Sequence, residues 1–445
     1  MQAQRGAQSN RPPINGRYRI PFSVWSIVFR FAASTSYFTT LERSPFEPVV
    51  YDESGQVISY DREVRNAYDH HKTTMMALLG VCREWREVLR HYRMEWTVIT
   101  ERNTLAELLR HPTEPGFLPI HRLDLQIALL TGPVNTRSTA RNLATLLSCC
   151  ERLEVLTIIS SDYDAPNTTT TSDLYIERLV PVLSTRPMLQ KLASNLPIGN
   201  FEPVFSLLNE SESLATLDIC ARRSLPRVVA SSPARSITSL RISFDEVSPQ
   251  ILHAFADCDM PNLAYVWYVD YVDPTEDPNH ALLTAAFDVF LRAQGQELRS
   301  LVLVTNAYSL TMEMWTTVLR SCPALAEFCC TVPLDPGFTY GRPPQGLPHA
   351  ALHTVILNGI ATLTEAESAP MRSEASQFLL SLPTPDFPIL RTIRLDISLR
   401  TELGEQVRLG SVARGLIRPL LRACDARRMQ LQDKQGETLL SAMLE

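Results

Sequence analysis

The stretch Leu298-Arg299-Ser300-Leu301-Val302-Leu303 decides the fold. It reads apolar, two variable, apolar, one variable, apolar. Its second half alternates, as a strand does when one face is buried and the other carries free choice. The same phrase recurs at Leu153/Leu156/Ile158, Leu214/Leu217/Ile219, Ile237/Leu240/Ile242 and Leu263/Val266/Tyr268. It continues at Leu325/Phe328/Cys330, Leu352/Val355/Leu357 and Leu390/Ile393/Leu395, with a weaker copy at Leu189/Leu192 and a possible first one at Leu123/Leu125. Successive copies lie 23 to 38 residues apart.

Between the copies the spacing of apolar residues turns helical, at Arg141–Cys149, Leu174–Leu183, Gln250–Asp257, Leu282–Ala293, Met312–Ser321 and Glu374–Leu380. In Ser321-Cys322-Pro323-Ala324-Leu325 a helix stops before proline and the next phrase starts at the leucine, the order that steric exclusion of the helical region before proline favours. One strand–helix unit cannot bury its apolar edge alone, whereas stacked units share a continuous core. The pattern therefore predicts an α/β chain built as a solenoid of strand–helix coils over residues 101–424, with residues 425–445 as a C-terminal cap or tail. The alternative βα array, an open doubly wound sheet, carries a Gly-rich phosphate turn in its dinucleotide-binding forms, and no GxGxxG follows any of these strands.

Upstream of the repeats the composition changes. Residues 1–19 are polar and basic and read as a disordered tail. Ile20-Pro21 then opens a short helix with Val24, Trp25, Val28 and Phe29 on one stripe, proline being tolerated in a first helical turn. A second helix, with Thr73 or Thr74 as its cap, places Met75, Leu78, Leu79, Cys82, Trp85, Val88 and Leu89 on one face and Arg83, Glu84, Arg86, Glu87 and Arg90 on the other, a solvated charged side opposite an apolar one. Trp96 follows.

Ile20-Pro21, Val24-Trp25, Val28-Phe29, then Val81-Cys82-Arg83-Glu84-Trp85-Arg86 and Trp96 together resemble the F-box, and the irregular repeats resemble the leucine-rich repeats of fungal (basidiomycete-type) F-box proteins. The resemblance implies a helical module over residues 20–100 that docks on the Skp adaptor of a cullin ubiquitin ligase. It implies an adaptor contact at Ile20, Pro21, Val24, Trp25, Val28, Phe29, Val81, Cys82 and Trp85, with Trp85 and Trp96 also holding the module together. Ser23 stands where the family has an acidic residue, and the gap from Phe29 to Val81 is longer than the family's. Within that gap, near residues 40–72, Val49-Val50-Tyr51 and Gln56–Tyr60 flank Asp52-Glu53-Ser54-Gly55 and predict an inserted hairpin. The asparagine that follows each strand in such repeats is mostly missing; Asn306 and Asn358 are candidates.

In a solenoid of this kind the variable residues between the leucines face a partner. The middle variable positions run Thr157, Ala193, Asp218, Arg241, Trp267, Val302, Cys329, Ile356, Arg394. Arg241, Tyr265, Trp267 and Val302 then form one patch, the composition of interface hot spots. A register slip of one residue turns Trp267 inward and Tyr268 outward instead.

The remaining chemistry is sparse. With 42 Lys+Arg against 48 Asp+Glu the formal charge is −6, the wrong balance for a protein that neutralises phosphates along a nucleic acid. Nine cysteines without a CxxC pair, most in apolar runs, predict buried thiols in a reducing compartment, cytoplasmic or nuclear. No apolar run is long enough to cross a membrane. His349 and His353 stand four apart but lack the glutamate of H-E-x-x-H, and His70-His71 read as solvent-facing. The expectation is a non-enzyme with no catalytic residue, cofactor or metal: the target-binding subunit of a Skp–cullin–F-box ligase. The rival is a non-catalytic repeat scaffold whose F-box no longer docks.

Overall fold

The computed structural model describes residues 59–83, 85, 86, 89, 95–99, 105, 108, 118–126, 136–159, 176–194, 198, 200–221, 233–244, 249–270, 280–305, 312–331, 342–360, 369–397 and 411–440. Twelve of its segments are strands: β1 (Trp96–Ile99), β2 (Arg122–Gln126), β3 (Val155–Ile159), β4 (Lys191–Ser194), β5 (Thr216–Ala221), β6 (Ser239–Phe244), β7 (Tyr265–Asp270), β8 (Ser300–Thr305), β9 (Glu327–Thr331), β10 (Thr354–Asn358), β11 (Thr392–Leu395) and β12 (Gln430–Gln432). They form one sheet in chain order, and every pairing between them is parallel. A doubly wound sheet reverses its order at a switch point, and this one never does. The architecture is α/β and solenoid-like.

Helices alternate with the strands. They are α1 (Ser59–Val81), α2 (Thr136–Cys149), α3 (Val180–Leu183), α4 (Glu202–Glu210), α5 (Pro249–Ala256), α6 (His280–Gln294), α7 (Met312–Ser321), α8 (Ala369–Ser381) and α9 (Ser411–Ala426). The six helical stretches read from spacing correspond to α2, α3, α5, α6, α7 and α8. The sheet itself reaches past both expected ends of the repeats, to Trp96 and to Gln432.

Strands β2 to β11 begin at the same backbone event. The carbonyl of Gln190 accepts N–H bonds from both Ala215 and Thr216, that of Ala215 from Thr238 and Ser239, and that of Thr238 from Ala264 and Tyr265, at 2.8–3.1 Å. The pattern continues through Ala264, Arg299, Ala326 and His353. The accepting residue always follows the first leucine of a phrase. That leucine is buried every time, as at Leu189, Leu214, Ile237, Leu263, Leu298, Leu325 and Leu352. Two bonds on one oxygen align each unit on the last without any side chain, which is how the ladder forms where the asparagines are missing. Asn358 is buried at the end of β10 and donates from Nδ2 to Cys329 Sγ at 3.4 Å.

The core lies on one face of the sheet. Leu217, Leu240, Val266, Leu301, Phe328 and Val355 are lateral neighbours on successive strands and are essentially fully buried. Helices α2 to α9 close over them. Aromatic rings fill the middle: Phe205 on Phe255 at 5.1 Å, Tyr268 on Phe287 at 4.2 Å, Trp315 edge-on to Phe328 at 4.9 Å. Gln294 at the end of α6 ties two units together, its amide nitrogen donating to the carbonyls of Phe255, Ala256 and Cys258 at 2.7–3.2 Å. Those carbonyls lie at and just past the end of α5, where the helix has few N–H partners left to offer.

Helix α1 corrects two expectations. The hairpin read over Val49–Tyr60 ends in residues that are helical, because α1 already starts at Ser59. Thr73 and Thr74 lie inside the helix and do not cap it. The stripe begins earlier than Met75, at Tyr68 and His71, which extends the helical spacing by two turns. Cys82, expected on the apolar face, is exposed just past the helix end. Leu78, Leu79 and Trp85 pack around buried Met75 and Leu89 as read, and Arg83 and Arg86 are exposed, while Glu84, Glu87, Val88 and Arg90 lie outside the described residues. Among the described residues, no helix is long and apolar enough to cross a membrane.

Two predictions follow from packing. A methyl on Gly295 would meet the Ser321 carbonyl oxygen at 2.5 Å and Cys322 Sγ at 2.8 Å, so Gly295→Ala should cost about 1–3 kcal/mol, an overpacking penalty. Gly415 in α9 has nothing within 4 Å, and Gly415→Ala should add about 0.5–1 kcal/mol through lower chain entropy; urea denaturation of both variants measures the contrast. All nine cysteines are free thiols, seven of them buried. Burial pushes the thiols of Cys150, Cys322 and Cys424 up to about 12 and raises those of Cys329 and Cys330 as well. Because the thiolate is the reactive form, iodoacetamide at mildly alkaline pH should label exposed Cys82 and half-buried Cys149 in the folded chain. The buried set should react only after denaturant is added, as mass mapping of the labelled peptides would read.

Candidate functional site

The face opposite the leucines carries the residues whose identity packing does not dictate. Its middle row follows the strand register: Asp124, Thr157, Ala193, Asp218, Arg241, Trp267, Val302, Cys329, Ile356, Arg394, Gln432. Thr157 to Arg394 is the row the sequence predicts, so the one-residue slip does not occur. Trp267 is on the variable face, and Tyr268 points into the core at 4% exposure.

The four residues proposed for the target patch come together. Arg241, Trp267 and Val302 are lateral neighbours on β6, β7 and β8, and Tyr265 lies two residues before Trp267 in the row of Ser239 and Ser300. The Arg241 guanidinium carbon sits 5.3 Å from the Trp267 ring centroid, within cation–π range. Its Nη1 donates to Asp218 Oδ2 at 3.4 Å, a long ion pair. Tyr265 is 41% exposed and Trp267 half-buried. Val302 differs from expectation. It is 2% exposed and belongs with buried Cys329 and Ile356 to a small apolar cluster, on which Trp267 and Val304 lean. It is the floor of the patch, and Tyr265, Trp267 and Arg241 are its reachable part.

Asp218 was in the row but not in the predicted patch. The signal was present: opposite charges at directly facing strand positions attract, and register places Asp218 beside Arg241.

A second cluster on this face escaped sequence reading. Asp124 Oδ2 accepts from Trp96 Nε1 at 2.6 Å and from Arg122 Nε at 2.8 Å, while Arg122 Nη2 reaches Oδ1 at 3.1 Å. Arg122 also lies over the Trp96 ring, 4.6 Å from its centroid. All three side chains are buried. From α1, Tyr68 and His71 pack on the same indole at 5.7 and 5.6 Å. Trp96 therefore joins the N-terminal helix to the first strands of the sheet. His71 is 3% exposed, a correction to its expected place in solvent; His70 is exposed.

Of the residues expected to contact an adaptor, Ile20, Pro21, Val24, Trp25, Val28 and Phe29 lie outside the described residues. Val81 is 58% exposed and Cys82 exposed, while Trp85 is half-buried. His349 accepts the Leu352 N–H on Nδ1 at 3.1 Å, and its Nε2 lies 2.8 Å from the Cys322 carbonyl oxygen. A nitrogen that accepts a backbone N–H carries no proton, so Nε2–H is the donor to Cys322. The ring holds the turn before β10, and His353 sits exposed with Nδ1 2.9 Å from Thr354 Oγ1. Among the described residues, no three His, Cys, Asp or Glu converge as metal ligands do.

The buried ion pair generates a prediction. Asp124→Ala removes the buried carboxylate that accepts from two Arg122 nitrogens and the Trp96 indole N–H, and should cost about 3–5 kcal/mol. The double variant Arg122→Met, Asp124→Leu removes both charges and should cost less than the single change; urea denaturation of the two decides it.

No family model matches the chain, and no curated protein does. Among solved structures, one from Bacteroides fragilis is similar with 11% identity and a TM-score of 0.40, over 85% of this chain and 86% of that one.

Proposed function

We propose that this chain is an F-box protein with a leucine-rich-repeat solenoid, acting as the substrate-recognition subunit of a Skp–cullin–F-box ubiquitin ligase. The observation that carries the reading is the unbroken parallel sheet in chain order, with Asp218, Arg241, Trp267 and Tyr265 on its variable face. Such a sheet presents side chains from successive units side by side, and over β5 to β7 these are polar and aromatic groups that a target could reach. The N-terminal half of the reading is supported by the sequence Val81-Cys82-Arg83-Glu84-Trp85-Arg86 closing α1. Met76 and Val81 there are 56% and 58% exposed, apolar side chains that an adaptor would cover.

The mechanism is proximity. The N-terminal segment holds the adaptor, the repeats hold the target, and other ligase subunits transfer ubiquitin. This chain contributes effective concentration of target lysines near the transferring subunit, in the cytoplasm or nucleus, where such ligases and reduced thiols coexist.

Co-purification of the full chain with recombinant Skp adaptor tests this, beside an Ile20→Asp, Val28→Asp double variant and a Val81→Asp variant. The expected result is a stoichiometric complex that the double variant loses and Val81→Asp weakens at least about tenfold, as burying an unpaired charge in an interface does. A folded wild-type chain that binds no adaptor overturns the ligase reading and leaves the repeats as a binding scaffold.

A further inference from the structure

Arg241 is more buried than its partners account for. Its side chain keeps 12% of its exposure, yet among the described residues the one carboxylate on it is Asp218, through Nη1 at 3.4 Å. The Trp267 ring lies beside the guanidinium. Nε is buried and has no hydrogen-bond partner. A guanidinium presents five N–H groups in a planar fork, and with Nη1 turned to Asp218 the opposite edge, Nε and Nη2, meets no acceptor among the described residues; Nε is covered, so an acceptor reaches it only when the side chains over it shift. That edge is the one that grips a carboxylate with two parallel bonds. A buried donor without an acceptor costs stability, and native chains fill such donors or use them.

The surroundings specify what would fill it. Trp267, whose ring lies beside the guanidinium and leans on the apolar floor of Val302, Cys329 and Ile356, and exposed Tyr265 two residues before it on β7 offer aromatic surface. Diagonal neighbours on adjacent strands stand about 7–8 Å apart, close to the span of two residues in an extended chain, about 7 Å. We propose that Arg241, held between Asp218 and Trp267, takes the side-chain carboxylate of an acidic residue in an extended partner segment, with an apolar residue two positions away resting on Tyr265 and Trp267. The inference rests on the target-binding reading above and names the chemistry that the target presents.

Selection of a random peptide library displayed on phage against the full chain tests it. Displayed peptides have no free C-terminal carboxylate, so any enriched acid is a side chain. The expected result is enrichment of Asp or Glu two positions from an aromatic or large aliphatic residue. In fluorescence anisotropy, the synthetic peptide should bind Arg241→Gln about thirtyfold more weakly, the scale of removing one member of a buried charge pair. Changing the peptide's acid to its amide should cost the same on the wild-type chain, which keeps the test valid if Arg241→Gln proves unstable by thermal melting. Arg241→Lys should restore little, since an ammonium lacks the fork. Selected peptides that lose binding with Tyr265→Ala but are indifferent to both Arg241→Gln and the amide overturn the Arg241 assignment while the target-binding reading stands. A library that yields no peptide sensitive to either Tyr265→Ala or Arg241→Gln overturns both.

Discussion

One carbonyl oxygen per unit, accepting two N–H groups from the next, is the constraint on which the rest of this molecule depends. The oxygens of Gln190, Ala215, Thr238, Ala264, Arg299, Ala326 and His353 each do this, over separations along the chain that vary from 23 to 38 residues. The bond pair fixes where strands β2 to β11 begin, so insertions between strands are absorbed by the connections and never reach the register. Lengthening a loop costs only slowly growing closure entropy, whereas shifting a strand by one residue would turn a leucine to solvent and a variable residue into the core. That asymmetry is why units of unequal length stack into one continuous sheet.

The same asymmetry explains what could be read without coordinates. The spacing of Leu214, Leu217 and Ile219 and its copies carries both strand position and facing, since each apolar residue has one place it can go. The row Thr157 to Arg394 follows from it, as does the neighbourhood of Arg241, Tyr265 and Trp267. Less legible was any residue whose role depends on a contact far along the chain. Trp96 looks the same in a helical module as in the first strand of a sheet, and only pairing with Arg122 and the bond to Asp124 tell them apart. The strand Arg122–Gln126 reads as weakly apolar because two of its five residues are a buried ion pair. The start of helix α1 is not legible in the sequence because Tyr68 and His71, polar-tipped rings, do not register as an apolar stripe without the indole they rest on.

The variable face is also not uniform along its length. At the N-terminal end it is closed by charge: Arg122, Asp124 and Trp96 satisfy one another beneath α1. Toward β8 to β10 it is closed by shape, where Val302, Cys329 and Ile356 are buried together. Between these, over β5 to β7, lie Asp218 at 24% and Arg241 at 12% side-chain exposure and Tyr265 at 41%. Two buried stretches therefore flank the polar and aromatic side chains of β5 to β7, and beyond the second the row opens again at Arg394 and Gln432.

The two Asp–Arg pairs on this face make the distinction physical. Both bring an arginine beside an aspartate and over a tryptophan ring, at 4.6 Å for Arg122 on Trp96 and 5.3 Å for Arg241 on Trp267. In the first, two nitrogens of the guanidinium meet both carboxylate oxygens at 2.8 and 3.1 Å, and the indole N–H completes the set. In the second, one nitrogen reaches one oxygen at 3.4 Å and the buried Nε meets nothing. A charge pair removed from water is stable in proportion to how fully its hydrogen bonds are met. By that measure the pair under α1 is complete and serves the fold. The pair between β5 and β6 leaves Arg241 Nε without an acceptor among the described residues.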